Sequence, residues 1–258
     1  MDLGLTGRTA LITGGSKGIG VAAAESLAQA GCNVHLASRT LADLEAAQTR
    51  LSQKYGVNVD IHPVDLSDGD AARALIEGCK DVEILVNNAG AIPAGDIHDV
   101  SEERWREAWD LKVFGYQNTC RAMLAHMRER GRGVIVNVVG AAGEAPTPGY
   151  IAGSAGNASI MAMTRALGAT SRSYGVRVVG INPGLIATDR MVTLLKTKAE
   201  AELDDAERWR DLLDQVYPPG MPEHIGDMVA FLASDRSANT TGTIITIDGG
   251  SSARGTSL

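Results

Sequence analysis

The chain has no run of about 18 apolar residues, the length a membrane-spanning helix needs, which argues against a transmembrane segment. Its first residues, MDLGLTGRTALITGG, carry no basic leader ahead of an apolar stretch, so a secretory signal is not expected there. Cysteine is scarce: Cys32, Cys79 and Cys120 are odd in number, far apart and without CxxC spacing. That pattern fits reduced, buried thiols in a cytoplasmic protein better than disulfides or zinc. The five histidines show no HxxxH spacing and no Cys/His cluster, so no metal site is expected. Positive charge is also short, with 24 Lys and Arg against 31 Asp and Glu, and the net charge of -7 argues against nucleic acid or an anionic membrane as partner. No linker rich in Gly, Pro or Ser and no internal repeat divides the 258 residues, so a single domain spanning 1–258 is expected.

What is present is an alternation of short apolar strands and longer helical patterns. Thr9 to Thr13 reads as a strand that ends in glycines, and Ile19 to Ala30 as a helix closed by Gly31. A strand at Asn33–Ala37, a helix at Leu41–Tyr55 and a strand at Val59–Pro63 continue the series. Ser67 and Asp70 have the spacing of a capping box before a helix ending near Gly78. Then come a strand at Ile84–Val86, a long helical stretch from about Glu103 to Glu129, a strand at Gly133–Val138, a helix from about Tyr150 to Tyr174 and a strand at Val176–Ile181. A charged stretch follows, then a helix from near Glu223 to Ala233 and a last strand at Thr243–Ile247. Repeated βα units with apolar, β-branched strands imply a doubly wound Rossmann-like α/β domain, its mostly parallel sheet covered by helices on both faces. Ligands of such sheets bind beyond the C-terminal strand ends.

The segment Gly14-Gly15-Ser16-Lys17-Gly18-Ile19-Gly20 joins the first strand to the first helix. Its glycines suit a tight turn, close approach of backbone to a pyrophosphate and tight helix–strand packing, while the helix start offers free N–H groups to phosphate. The second strand ends at Ala37-Ser38-Arg39, where an acidic residue would hold an adenosine ribose diol. Ser38 instead leaves room for a 2′-phosphate, and Arg39 with Lys17 can hold it by charge-assisted hydrogen bonds, so NADP(H) is the expected cofactor.

Further segments stand in order behind this loop: Asp65-Leu66, Asn87-Asn88-Ala89-Gly90, Pro183-Gly184 with Thr188, and Asp248-Gly249-Gly250. With the loop at 13–20 they resemble the classical short-chain dehydrogenase/reductase family over essentially the whole chain. The resemblance implies an adenine contact at Asp65 and Leu66, a cofactor-side segment at Asn88, Ala89 and Gly90, and a nicotinamide-side stretch at Pro183, Gly184 and Thr188. It also implies hydride transfer between the nicotinamide and a carbonyl or carbinol carbon, and a homodimer or homotetramer. In this family a tyrosine moves the proton, a lysine four residues later binds the nicotinamide ribose and lowers the tyrosine pKa, a serine orients the substrate oxygen, and an asparagine in the preceding helix supports a proton path.

Against that pattern, Tyr150 matches the tyrosine, Ser154 stands four residues on in place of lysine, Gly140 falls at the serine and Lys112 at the asparagine. The stretch from Gly140 to Tyr150 is also shorter than usual for the family. The expectation is that Lys112 reaches the volume left by Ser154 and supplies the cation that favours the Tyr150 phenolate; the alternative is a lysine that snorkels to solvent. The Gly140 backbone N–H, Ser154 or a loop group then positions the substrate oxygen. Glu144 is a candidate acid or base, or else an ordinary loop carboxylate. Residues 189–221 are expected to form a substrate lid. The leading function is an NADP(H)-dependent oxidoreductase interconverting an alcohol and a carbonyl on a small-molecule substrate. A catalytically altered nucleotide-binding sensor or structural protein, and a nonredox lyase, are the alternatives.

Overall fold

A computed structural model describes residues 2–253. The first half alternates β1 (Thr9–Thr13), α1 (Gly18–Gln29), β2 (Asn33–Ser38), α2 (Leu41–Tyr55), β3 (Val59–Pro63), α3 (Gly69–Gly78) and β4 (Ile84–Asn87). The second half runs α4 (Glu102–Trp109), α5 (Gly115–Arg130), β5 (Gly133–Val138), α6 (Ile151–Ser171), β6 (Val176–Pro183), α7 (Asp189–Leu203), α8 (Pro222–Ala233) and β7 (Ile244–Ile247). All strand pairs are parallel, in the order β3-β2-β1-β4-β5-β6-β7.

Strand side chains alternate between the faces, and each face has its own core. Ile12 and Val34 pack with Ala23, Leu44 and Ile225 from α1, α2 and α8. Leu11 and Leu85 pack with Leu75, Met123 and Met127 from α3 and α5. The chain order reverses between β1 and β4, so the loops after these two strands flank one crevice, the place where such sheets take ligands.

Two expectations are corrected here. The cap of α3 is Asp68, whose carboxylate accepts from the N–H groups of Asp70 and Ala71, rather than a box of Ser67 and Asp70. The Ser67 hydroxyl instead donates to Asp65. The long helix expected over 103–129 is interrupted by one wide π turn at Asp110–Phe114, between α4 and α5. Lys112 lies in that turn.

Candidate active site

The glycine loop is held from below by Asn88, whose amide donates to the carbonyls of Thr13 and Gly14, while Thr13 Oγ1 accepts from the Asn88 and Ala89 N–H groups. The backbone there is so close that a Cβ on Gly20 would lie 2.0 Å from the Gly14 carbonyl oxygen. Lys17 opens α1 without any side-chain cap, and no acidic residue occupies the first turn. The N–H groups at that helix start are therefore left to a bound anion. Ser16 and Ser38 share a 3.0 Å hydrogen bond, which carries the end of β2 to the loop. Lys17 is exposed and paired with Asp43 at 2.8 Å, and this hydrogen bond, with the charge of Asp43, raises its pKa. Arg39 is exposed beside Asp65, which it and the Ser67 N–H hold below the usual carboxylate range, the N–H acting more strongly.

Beyond the strand ends lies a cleft of about 730 Å³ lined by the glycine loop, Asn88 to Gly90, Lys112, Val138 to Ala142, Tyr150, Asn157, Pro183 to Ile186 and Thr188 to Met191. Thr188 caps α7 by accepting from the Met191 N–H. Along 189–221, Met191, Leu195, Ala199 and Trp209 pack as a small core of their own. Met191 and Leu194 also line the cleft.

The candidate catalytic residues are arranged differently from the sequence expectation. Tyr150 precedes α6 in a non-helical conformation, with φ -144 and ψ 42, and its ring lies on the backbone of Gly153. A Cβ at Gly153 would fall 2.0 Å from Tyr150 Cε1, so the ring fills the space where a side chain at 153 would begin. Ser154 is buried and does not itself line the cleft; its hydroxyl accepts from the N–H of Thr147, which does, at 3.3 Å. The member of α6 that does line the cleft is Asn157, one helical turn beyond Gly153. Asn157 is 3% exposed, and its Oδ1 is buried without a hydrogen-bond partner among the described residues. Asn157 was not among the sequence candidates, because counting four residues on from Tyr150 leads to Ser154.

Lys112 and Tyr150 do line one cleft, but the cation in contact with the phenol is Arg190, whose Nη2 lies 3.5 Å from Tyr150 Oη and donates to the Ile92 carbonyl at 2.8 Å. Lys112 Nζ donates instead to the Val139 carbonyl at 2.8 Å, and its stem passes over Gly90. Desolvation, followed by the charge of Arg190, pushes the Lys112 ammonium down to about 7. The N–H of Gly140 is engaged with Asn182 Oδ1 at 3.4 Å, and is not a free donor for substrate. Glu144 is a staple, its Oε2 accepting from Thr246 Oγ1 at 2.8 Å and Asn182 Nδ2 at 3.3 Å. Asn137 serves the buried network expected of a strand residue, bonded to Asn87 and Thr164. The expectation that no cysteine and histidine would cluster is also overturned, because His35, His62 and Cys79 meet across three elements.

The family model for short chain dehydrogenases matches residues 8–199. The chain belongs to the short-chain dehydrogenase/reductase family. Membership makes it a nicotinamide-dependent oxidoreductase acting on alcohol or carbonyl groups. Among its relatives, the 3-oxoacyl-(acyl-carrier-protein) reductase of Chlamydia trachomatis is 31% identical over 95% of this chain and 98% of its own. The oxidoreductase UcpA of Salmonella typhimurium is 33% identical over 96% of this chain and 95% of its own. The structure of L-sorbose reductase from Gluconobacter frateurii, complexed with NADPH and L-sorbose, superposes with a TM-score of 0.89 at 30% identity, covering 96% of this chain and 98% of that one. For a short-chain dehydrogenase/reductase, then, the scaffold is intact, and Lys112, Tyr150 and Asn157 all line its cleft.

Proposed function

We propose that this short-chain dehydrogenase/reductase is an NADP(H)-dependent enzyme interconverting an alcohol and a carbonyl, with Lys112 as its proton-transfer group. The observation that carries the reading is the place of Lys112: it lines the cleft, its Nζ is tied to Val139, and its ammonium is poised at about 7. A group with a pKa near the working pH can both give and take a proton.

The residues present fit a nicotinamide dinucleotide. The uncapped start of α1 and the glycines of the loop form a phosphate cradle, and the unpartnered Asn157 Oδ1 is a buried acceptor suited to a ribose hydroxyl. Lys17, Ser38 and Arg39 support a 2′-phosphate. The dinucleotide, when bound, supplies the hydride. In reduction Lys112 gives a proton to the substrate oxygen, and in oxidation it takes one back. Because the protonated amine is the donor, reduction should slow as pH rises through about 7, and oxidation should slow as pH falls through the same region.

Tyr150 is the competing acid, because its hydroxyl stands beside Arg190 in the same cleft. NADPH oxidation with a panel of ketoses, diketones and 3-oxoacyl thioesters separates the two. Lys112→Met should lower turnover by about 100- to 10,000-fold, while Tyr150→Phe should stay within about tenfold of the parent. The reverse result would move the proton to the Tyr150–Arg190 pair.

Self-association is part of the proposal. Ile97, Trp105, Trp109 and Phe114 line an apolar cavity of about 610 Å³ on the outer side of α4, and exposed Phe114 stands at its edge. Such a patch suits a symmetric contact in a homodimer or homotetramer. The three free, buried thiols support a reducing compartment such as the cytoplasm.

A further inference from the structure

At the β3 edge of the sheet three side chains from separate elements converge. His35 of β2 and His62 of β3 bring Nδ1 and Nε2 to 3.0 Å, with their rings stacked 5.2 Å apart and 18° from parallel. Cys79, just past α3, places Sγ 3.8 Å from the first nitrogen and 3.7 Å from the second. The histidines are half-buried and Cys79 is 3% exposed. None of the three lines the catalytic cleft.

The spacing of these atoms matches a coordination sphere. Zinc bonds of about 2.0–2.1 Å to nitrogen and about 2.3 Å to sulfur, at tetrahedral angles, put two nitrogens about 3.3 Å apart and nitrogen and sulfur about 3.6 Å apart. The three observed separations lie within a few tenths of an ångström of those values. Asp60 Oδ2 lies 3.7 Å from His35 Nε2, on the far side of that ring. At that distance the carboxylate makes no direct hydrogen bond, but its negative charge favours the tautomer with the proton on Nε2, which leaves Nδ1 as the unprotonated nitrogen on the side of His62 and Cys79.

We propose that His35, His62 and Cys79 form a zinc site with three protein ligands and a fourth position for water. Two imidazoles and a thiolate are borderline-soft donors, which select zinc over magnesium or calcium. On binding, a Zn–S bond forms as the Cys79 S–H bond breaks, and the thiol proton leaves to solvent. The ion would clamp β2, β3 and the end of α3 together, a stabilising role independent of turnover.

Cobalt(II) titrated into the metal-free, nucleotide-free full chain tests this directly. The expected result is a thiolate-to-cobalt charge-transfer band that saturates at one ion per chain, is bleached by added zinc, survives Cys32→Ala and is lost in Cys79→Ser. His62→Gln should weaken binding by about 100-fold or more, beyond the loss typical of an outer-shell change. Zinc should raise the melting temperature of the parent and leave that of His62→Gln unmoved, a readout that stands if Cys79→Ser fails to fold. No cobalt band in the parent, or a band and a thermal shift that persist undiminished in His62→Gln, would overturn the site.

Discussion

Lys112 shows how much a single side chain can give up in stability for a reactive position. An ordinary lysine titrates near 10.5, whereas here the ammonium is pushed down to about 7. At about 1.4 kcal/mol per pH unit, this amounts to a penalty on the order of 4–5 kcal/mol in acid. Between these two values the unfolded chain holds a proton that the folded chain has released, so folding stability from this group rises with pH across the window, and the penalty is complete below it. Lys112→Met removes the charge but leaves the Val139 carbonyl unpaired, which costs about 1–3 kcal/mol. The variant should be about 2 kcal/mol more stable than the parent in urea denaturation at pH 6, and the advantage should vanish or reverse by pH 10. A variant less stable than the parent at both pH values would show that the amine carries no such burden. The residue type at 112 was legible in the sequence; its partner was not, because whether an ammonium meets a phenol or a carbonyl depends on how α5 and β5 pack.

At the scale of elements, α6 shows how helix phase decides chemistry. An alanine is favoured over glycine inside a helix by about 1 kcal/mol. Gly153→Ala should nonetheless destabilise by about 1–3 kcal/mol, because the new methyl group meets the Tyr150 ring. In the Tyr150→Ala background the same change should become stabilising, and thermal melts of the single and double variants measure that coupling. Additive effects would mean that the ring does not rest on Gly153. The extents of α2, β3 and β5 agree with their sequence patterns to the residue, since apolar periodicity and flanking glycines are local signals. The start of α6 also falls within one residue of the expected Tyr150, whereas its rotation, which brings Asn157 to the cleft, has no local signal. The π turn at Asp110–Phe114 left no local signal, as residues on either side of it favour a helix.

For the whole molecule, the discriminating property is cofactor preference, set where β2 meets the glycine loop. Arg39→Ala should weaken NADPH binding by about tenfold, the loss of roughly one charge-assisted hydrogen bond, and leave NADH binding unchanged. Dissociation constants for both cofactors check this, and equal losses would remove Arg39 from phosphate recognition. The parallel sheet, a ligand site beyond its C-terminal strand ends and the loop from Gly14 to Gly20 followed from sequence alone, because strand alternation and helix starts are written in short stretches of neighbouring residues. Tertiary structure decided what stands opposite what: Asn157 under the cleft, Arg190 rather than Lys112 at the phenol, Glu144 stapled to Asn182 and Thr246, and two histidines brought to a cysteine. Residues 17 to 102 positions apart make these contacts. Such pairings depend on sheet register and helix rotation, which the packed core sets and no local pattern encodes.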